Sequence, residues 1–311
     1  MKLQTDGMSI EYEDIGSTDR PAVLLITGLG MQLVNWPDEF VQGLVDRGLR
    51  VIRFDNRDCG LSQRFEHAPP QNVFWQMLRM VLHLPVAAPY TLQDMAQDAL
   101  GLLDALGIKR AHIVGVSMGG MIGQRIAATA PARVISLSCI SSWSGARRFG
   151  VPMFLPQPGV LFKLLGFSPS TVHGLDEEVL IEWSMGFTRR IGGPGVYEEA
   201  KLREQVTLTV RRDLNVEGTN RQTLAMLADT GVRPQLLSRV RCPTLVLHGD
   251  KDPFVPFRCG IDLAQRICGA RFVTMPGSGH DMGPRAVAVA LREMPPFLQS
   301  AQVKASASAR C

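Results

Sequence analysis

From Ala111 to Val116 the chain is apolar, and from Gly119 to Ala130 it carries small residues at helical spacing; Gly115-Val116-Ser117-Met118-Gly119 joins the two. The pattern dictates a strand, a sharp turn and a helix in immediate succession, the context of a nucleophile elbow. So tight a turn forces its apex residue into a strained backbone conformation. Glycines two before and two after it leave room for strand and helix to approach. Ser117 would then project its hydroxyl above the sheet. The N-terminus of the helix behind it would favour negative charge developing there.

A serine hydroxyl needs a base to take its proton, and the base needs a third group to fix its tautomer. Where a serine stands on such an elbow, these groups follow in the order Ser, acid, His. Two later strands each deliver one candidate at the C-terminal edge, where such sheets bind ligands. Thr244 to His248 is apolar and runs into Gly249-Asp250-Lys251-Asp252-Pro253; Arg271 to Met275 runs into Pro276-Gly277-Ser278-Gly279-His280. Alone, Asp252 reads as a turn-former before Pro253 and His280 as a polar loop residue. Their shared order and edge favour Asp252 as acid and His280 as base, with Asp250 the rival acid. His248 lies inside a strand, His112 opens one, and His67, His83 and His173 lie outside strand-to-helix turns, so none of them competes.

A tetrahedral intermediate needs two N–H donors for its oxygen. Met118, directly after Ser117, is one candidate. Leu29 is the other: it follows the buried-type strand Ala22 to Thr27, within Gly28-Leu29-Gly30-Met31. Gly28 and Gly30 let that loop approach a substrate closely. Gly28, Met31, Trp143, Met153 and Phe154 are the substrate-binding candidates.

Strands are expected at Lys2 to Thr5 and Met8 to Tyr12, joined at Asp6-Gly7, then at Ala22 to Thr27, Arg50 to Phe54, Ala111 to Val116, Val134 to Cys139, Leu245 to His248 and Phe272 to Met275. Helical patterns alternate with them near Trp36 to Arg47, Leu92 to Leu106, Met118 to Ala130, Phe257 to Ile267 and Ala286 to Leu298, with Lys304 to Cys311 frayed. Alternation of this kind predicts a mostly parallel, doubly wound sheet of eight strands. It breaks between Ser144 and Val240, where only helical patterns occur, at Glu177 to Arg190, Tyr197 to Arg212 and Asn220 to Ala228. The expected division is a core of residues 1–143 and 241–311 with a helical cap, 144–240, over the strand C-termini. A Pro-punctuated apolar section from Phe149 to Phe167 opens the cap and could line a pocket. A second apolar run, Val73 to Tyr90, has helical spacing that suggests packing against the cap.

With these motifs the chain resembles the α/β-hydrolase fold superfamily, serine-hydrolase branch, from about Met8 to Phe297. Carrying the resemblance are Thr27-Gly28-Leu29-Gly30, the D-x-R-x-x-G-x-S turn from Asp55 to Ser62, Gly115 to Gly119, His248 to Pro253, and Gly279-His280. Bacterial esterases, including methylesterases acting on polyketides, are closest in style. Many relatives have His where Thr27 stands; the oxyanion donor is a backbone N–H, so its chemistry should survive the difference. The resemblance implies hydrolysis of small to medium apolar carboxylic esters through an acyl-enzyme, and it supports Asp252 over Asp250. Carbon–carbon bond hydrolysis and cofactor-free perhydrolysis could use the same three residues. A non-catalytic ligand-binding protein would more readily tolerate a broken trio.

Composition fits. The chain has 311 residues, 45% hydrophobic and 20% charged, enough for one large domain with an insertion. A net charge of +4, from 33 basic and 29 acidic residues, is too even to indicate nucleic acid. Gly28-Leu29-Gly30 lacks the third glycine of a dinucleotide fingerprint. Six cysteines show neither metal spacing nor a paired framework, as expected of reduced thiols in a cytoplasm. Met1 to Glu13 is polar and alternating, unlike a signal peptide. The expected partner is a small-molecule ester, with no metal, cofactor, nucleic acid or stable membrane insertion; self-association into a homo-oligomer is compatible with the sequence.

Overall fold

The computed structural model describes residues 1–5, 7–67, 71–148, 151–152, 175–193 and 197–308. Its first half runs β1 (Lys2–Thr5), β2 (Met8–Ile15), β3 (Ala22–Ile26), α1 (Asp38–Val45), β4 (Arg50–Phe54), α2 (Val73–Val81), α3 (Leu92–Ala105), β5 (Ala111–Val116), α4 (Met118–Thr129) and β6 (Val134–Ile140). A hairpin of two-residue strands follows, β7 (Arg147–Arg148) with β8 (Val151–Pro152). Further on come α5 (Glu177–Ile191), α6 (Glu199–Arg212) and α7 (Val216–Asp229). The chain then returns through β9 (Thr244–Gly249), α8 (Phe257–Arg266), β10 (Arg271–Met275) and α9 (Pro284–Ser308).

Eight strands form one sheet in the order β1-β2-β4-β3-β5-β6-β9-β10. The β1–β2 and β2–β4 pairs are antiparallel, and all the others are parallel. Strands β3, β4, β5, β6 and β9 are buried along their whole length. A parallel strand covered on both faces needs such a continuous run of buried residues, whereas β2 alternates over its first five residues, as a more peripheral strand can. One cluster of apolar side chains gathers α1 and α9 on one face, around Phe40, Leu44, Val287 and Leu298. A second gathers α3, α4 and α8 on the other, around Leu102, Ile122 and Leu263.

Among the described residues, three helices lie in the insertion between β6 and β9, and two of them, α5 and α6, share a small core of their own, Ile181, Met185, Leu202 and Val206. They dock on loops at the C-terminal edge of the sheet. Arg212 of α6 pairs with Asp55 at 2.7 Å, and Arg221 of α7 pairs with Asp58 at 2.8 Å. Both acids belong to the turn that follows β4. Burial pushes the Asp55 carboxyl up, against the opposing pull of the Leu33 and Leu61 N–H groups and Arg212. A carboxylate placed there therefore needs those partners. The docking leaves the insertion as a helical cap on the sheet.

Three expectations change. Pro37 caps α1, so that helix starts two residues later than the apolar pattern suggests. Helix α9 continues to Ser308 rather than fraying from Lys304, with Ala301 buried against the core. Helix α2 lies beside α7, but it turns Phe74, Trp75, Leu78 and Val81 to solvent while Gln76 and Met80 face inward. The run therefore does pack against the insertion, as its spacing suggests, but through Met80 and Gln76, while these four apolar residues face solvent. Among the described residues no helix is long and apolar enough to cross a membrane.

Candidate active site

Ser117 sits at the end of β5 and caps α4 with φ 52° and ψ −116°, a left-handed conformation that non-glycine residues seldom adopt. The surrounding core enforces it. The Ser117 N–H donates to the Ile140 carbonyl at 2.8 Å, and its own carbonyl accepts from the Ser142 hydroxyl at 2.8 Å and the Gly120 N–H at 3.0 Å. A Cβ at Gly115 would collide with the Gly119 backbone, and one at Gly119 with the Ile26 carbonyl. Both glycines are therefore demanded by backbone proximity, as the pentapeptide predicts.

The three residues proposed from the sequence converge. His280 Nε2 lies 3.0 Å from Ser117 Oγ, and His280 Nδ1 lies 2.8 Å from Asp252 Oδ2. Residues 117, 252 and 280 are each no more than 7% exposed. The other oxygen of Asp252 accepts from the N–H groups of Phe254 at 2.9 Å and Val255 at 2.7 Å. Burial alone would raise the Asp252 carboxyl; His280 and His248 outweigh it and hold the group down at about 2. It is thus ionised at neutral pH and fit to orient an imidazole. Phe254 packs edge-on against the His280 ring at 4.7 Å.

Asp250 goes elsewhere. It is exposed, and its carboxylate accepts from the Gly277 N–H at 2.7 Å, which fastens the loop that leads to His280. His248 is fully buried beside Asp252, 3.4 Å from its Oδ2, and its Nε2–H donates to the Val255 carbonyl at 2.9 Å. Its place within a strand gave no hint of that proximity.

The loop after β3 comes against the elbow. A Cβ built on Gly28 would lie 3.3 Å from the Ser117 Cβ and 2.9 Å from the Met31 sulfur. Among the described residues, neither the Leu29 nor the Met118 N–H has a hydrogen-bond partner. Thr27, where many relatives have His, accepts from the Asn56 amide on its hydroxyl at 3.0 Å and its carbonyl at 3.2 Å. Trp143 is buried in the core cluster, with the Arg233 guanidinium 6.0 Å above its ring. Met153 and Phe154, like most of the apolar section from Phe149 to Phe167, lie outside the described residues.

The cap also reaches the site. The His280 N–H donates to the Ile191 carbonyl at the end of α5, at 2.7 Å. Tyr197 donates its hydroxyl to Asp281. Gln222 of α7 bonds both the Gly30 N–H and the Arg57 carbonyl. These contacts span 84 to 192 residues of sequence, and no local pattern announces them.

An eight-stranded, mostly parallel sheet with a serine at its elbow and a histidine and a carboxylate at its C-terminal edge defines a class: the α/β hydrolases. Residues 23–292 match the model of the "Alpha/beta hydrolase family". The chain is 32% identical over 300 residues to rhodomycin D methylesterase DauP of Streptomyces sp. (strain C5), covering 92% of this chain and 93% of the relative. It is 26% identical over 268 residues to 3-oxoadipate enol-lactonase 2 of Acinetobacter baylyi (strain ATCC 33305 / BD413 / ADP1), covering 85% and 84%. The esterase EaEST from Exiguobacterium antarcticum superposes with a TM-score of 0.73 at 21% identity, covering 96% and 98%, a likeness of fold. The chain belongs to the α/β hydrolase family, and these relatives mark it as a hydrolase.

Proposed function

We propose that this protein hydrolyses carboxylic esters through an acyl-enzyme on Ser117. The observation that carries the reading is the unbroken path from Asp252 through His280 to Ser117, at 2.8 and 3.0 Å, ending on a strained nucleophile. His280 Nε2 takes the Ser117 proton as Oγ attacks the ester carbonyl. Asp252 holds the other ring nitrogen and stabilises the imidazolium. The N–H groups of Leu29 and Met118 receive the oxyanion. The alcohol leaves with the proton from His280. Water, deprotonated by the same nitrogen, then attacks the acyl carbon and releases the acid with Ser117 restored.

The substrate reading is a small to medium apolar ester, with methyl esters first. The 32% identity to a protein named as a methylesterase supports that alkyl group. Residues 144–240 are proposed to act as the cap that encloses the ester. A series of p-nitrophenyl esters and methyl esters of increasing acyl size tests the class. Ser117→Ala should lower turnover by about 10⁴- to 10⁶-fold while leaving the fold intact. A fluorophosphonate should label wild type at Ser117 and leave the variant unlabelled. Unchanged ester turnover in a folded Ser117→Ala protein would overturn the proposal.

A further inference from the structure

We propose that Gln222, a cap residue, is a positioning residue that holds the oxyanion turn in its working conformation. The inference rests on Leu29 as an oxyanion donor but names a device outside the catalytic trio. Gln222 is fully buried on α7, and its amide uses both ends. Oε1 accepts from the Gly30 N–H at 2.9 Å, and Nε2 donates to the Arg57 carbonyl at 2.8 Å.

The turn it grips is a specific one. The Met31 N–H donates to the Gly28 carbonyl at 3.2 Å, which closes a four-residue turn over Leu29 and Gly30. Gly30, its third residue, has φ +65°. Positive φ at that position belongs to a type II turn, whose central peptide is flipped relative to type I. The central peptide here is Leu29–Gly30, and its N–H is the group Gln222 accepts. Losing that acceptor frees the peptide to flip through Leu29 ψ and Gly30 φ. The donor N–H of Leu29 sits one peptide upstream in the same turn, so its aim is held only as firmly as the turn itself is braced against α7.

A second observation places α7 on the turn independently. A Cβ at Gly30 would lie 2.9 Å from the Thr219 hydroxyl, one helical turn before Gln222. The other end of the amide ties the turn to the Asp55–Ser62 segment, where Asn56 already bonds Thr27. The oxyanion turn is therefore clamped between α7 and the turn after β4. A preorganised donor is worth most when its aim costs nothing at the moment of reaction, and supporting contacts of this kind commonly tune a site by about 10- to 100-fold.

The test uses the rate at which a fluorophosphonate labels Ser117 in the full-length protein, a reaction that places negative charge in the same hole and needs no knowledge of the substrate. Gln222→Met keeps length and volume but removes both bonds. Labelling should slow by about 10-fold or more, and a boronic acid that forms a tetrahedral adduct on Ser117 should bind more weakly in proportion. Gln222→Glu should rescue most of the rate at pH 6, since burial favours a protonated carboxyl that can accept and donate as the amide does. Labelling of folded Gln222→Met within threefold of wild type overturns the inference. Should that variant not fold, Gln222→Glu decides alone: a rate within threefold of wild type supports the clamp, and a 10-fold loss overturns it. Wild-type protein that labels at Ser117 but cleaves no ester would sink the ester reading and leave this one standing.

Discussion

Two turns meet at the Ser117 hydroxyl, and they are held by different parts of the molecule. The elbow is fixed by its own neighbourhood in the core: the Ile140 carbonyl, the Ser142 hydroxyl and backbone contacts through Gly115 and Gly119. The turn after β3, proposed to receive the oxyanion, faces it and is held from outside by Gln222, with Thr219 of the same helix against it. The His280 loop is mixed. Its ring is held by Asp252 of the core and its backbone by Ile191 of the cap. On the proposed roles, the serine is held by core contacts alone, whereas the turn of Leu29 and the loop of His280 also take contacts from the helical insertion. A site built this way can keep a reactive serine and still depend on its cap for turnover.

The sharpest way to break that comparison is to add a methyl group to each turn. At Gly119 the Cβ meets a backbone carbonyl that cannot move, so Gly119→Ala should cost about 3 kcal/mol or more, and little folded protein is expected. At Gly30 the Cβ meets the tip of a threonine side chain, and the positive φ adds about 1–2 kcal/mol of strain. Gly30→Ala should therefore fold, with slowed fluorophosphonate labelling. Urea unfolding of the two proteins checks the order, and equal losses would mean that the cap grips its turn as rigidly as the core grips the elbow.

Next in size is the acid. Asp252→Asn keeps the shape of the loop but leaves His280 free to take the wrong tautomer, so turnover should fall by about 10⁴-fold with little change in the fold. Asp250→Ala removes only an acceptor for the Gly277 N–H and should cost about 1 kcal/mol of stability with turnover near wild type. Steady-state kinetics on both variants separate the two carboxylates. Comparable losses would show that fastening the His280 loop matters as much as charging it.

The contrast between the turns also explains what could be read from the chain. The elbow was legible because its causes are local: a strand, two glycines and a helix within about ten residues. The parallel strands were legible because burial on both faces demands continuous apolar runs such as Ala22 to Ile26. Asp252 could be preferred over Asp250 in part only by resemblance, because both follow β9 within three residues and the paired geometry is what separates them. Gln222 was invisible: it lies 192 residues from Gly30 in a helix whose polar residues read as a solvated face. The outward turn of Trp75 was hidden for the converse reason, since helical spacing says that a face exists but not which way it points.

Smallest is a prediction about two carboxylates near His280 whose pH dependences have opposite signs. Asp252 is held at about 2, below its unfolded value of about 3.9, so its stabilisation is present above about pH 4 and lost as pH falls towards 2. Asp281 is raised instead, chiefly by burial, with the Tyr197 hydroxyl opposing the rise. A raised acid favours the folded state below its unfolded value, and that contribution is lost as pH climbs through the folded value. Tyr197 limits the loss by donating to the ionised form. Tyr197→Phe should therefore destabilise the protein by about 1 kcal/mol at pH 7 and by less as pH falls towards 4, since protonating Asp281 removes the charge that the hydroxyl serves. Urea unfolding at the two pH values reads the difference. An equal loss at both would mean that the tyrosine holds cap to His280 loop by packing alone, and that the charge on Asp281 plays no part in docking the cap.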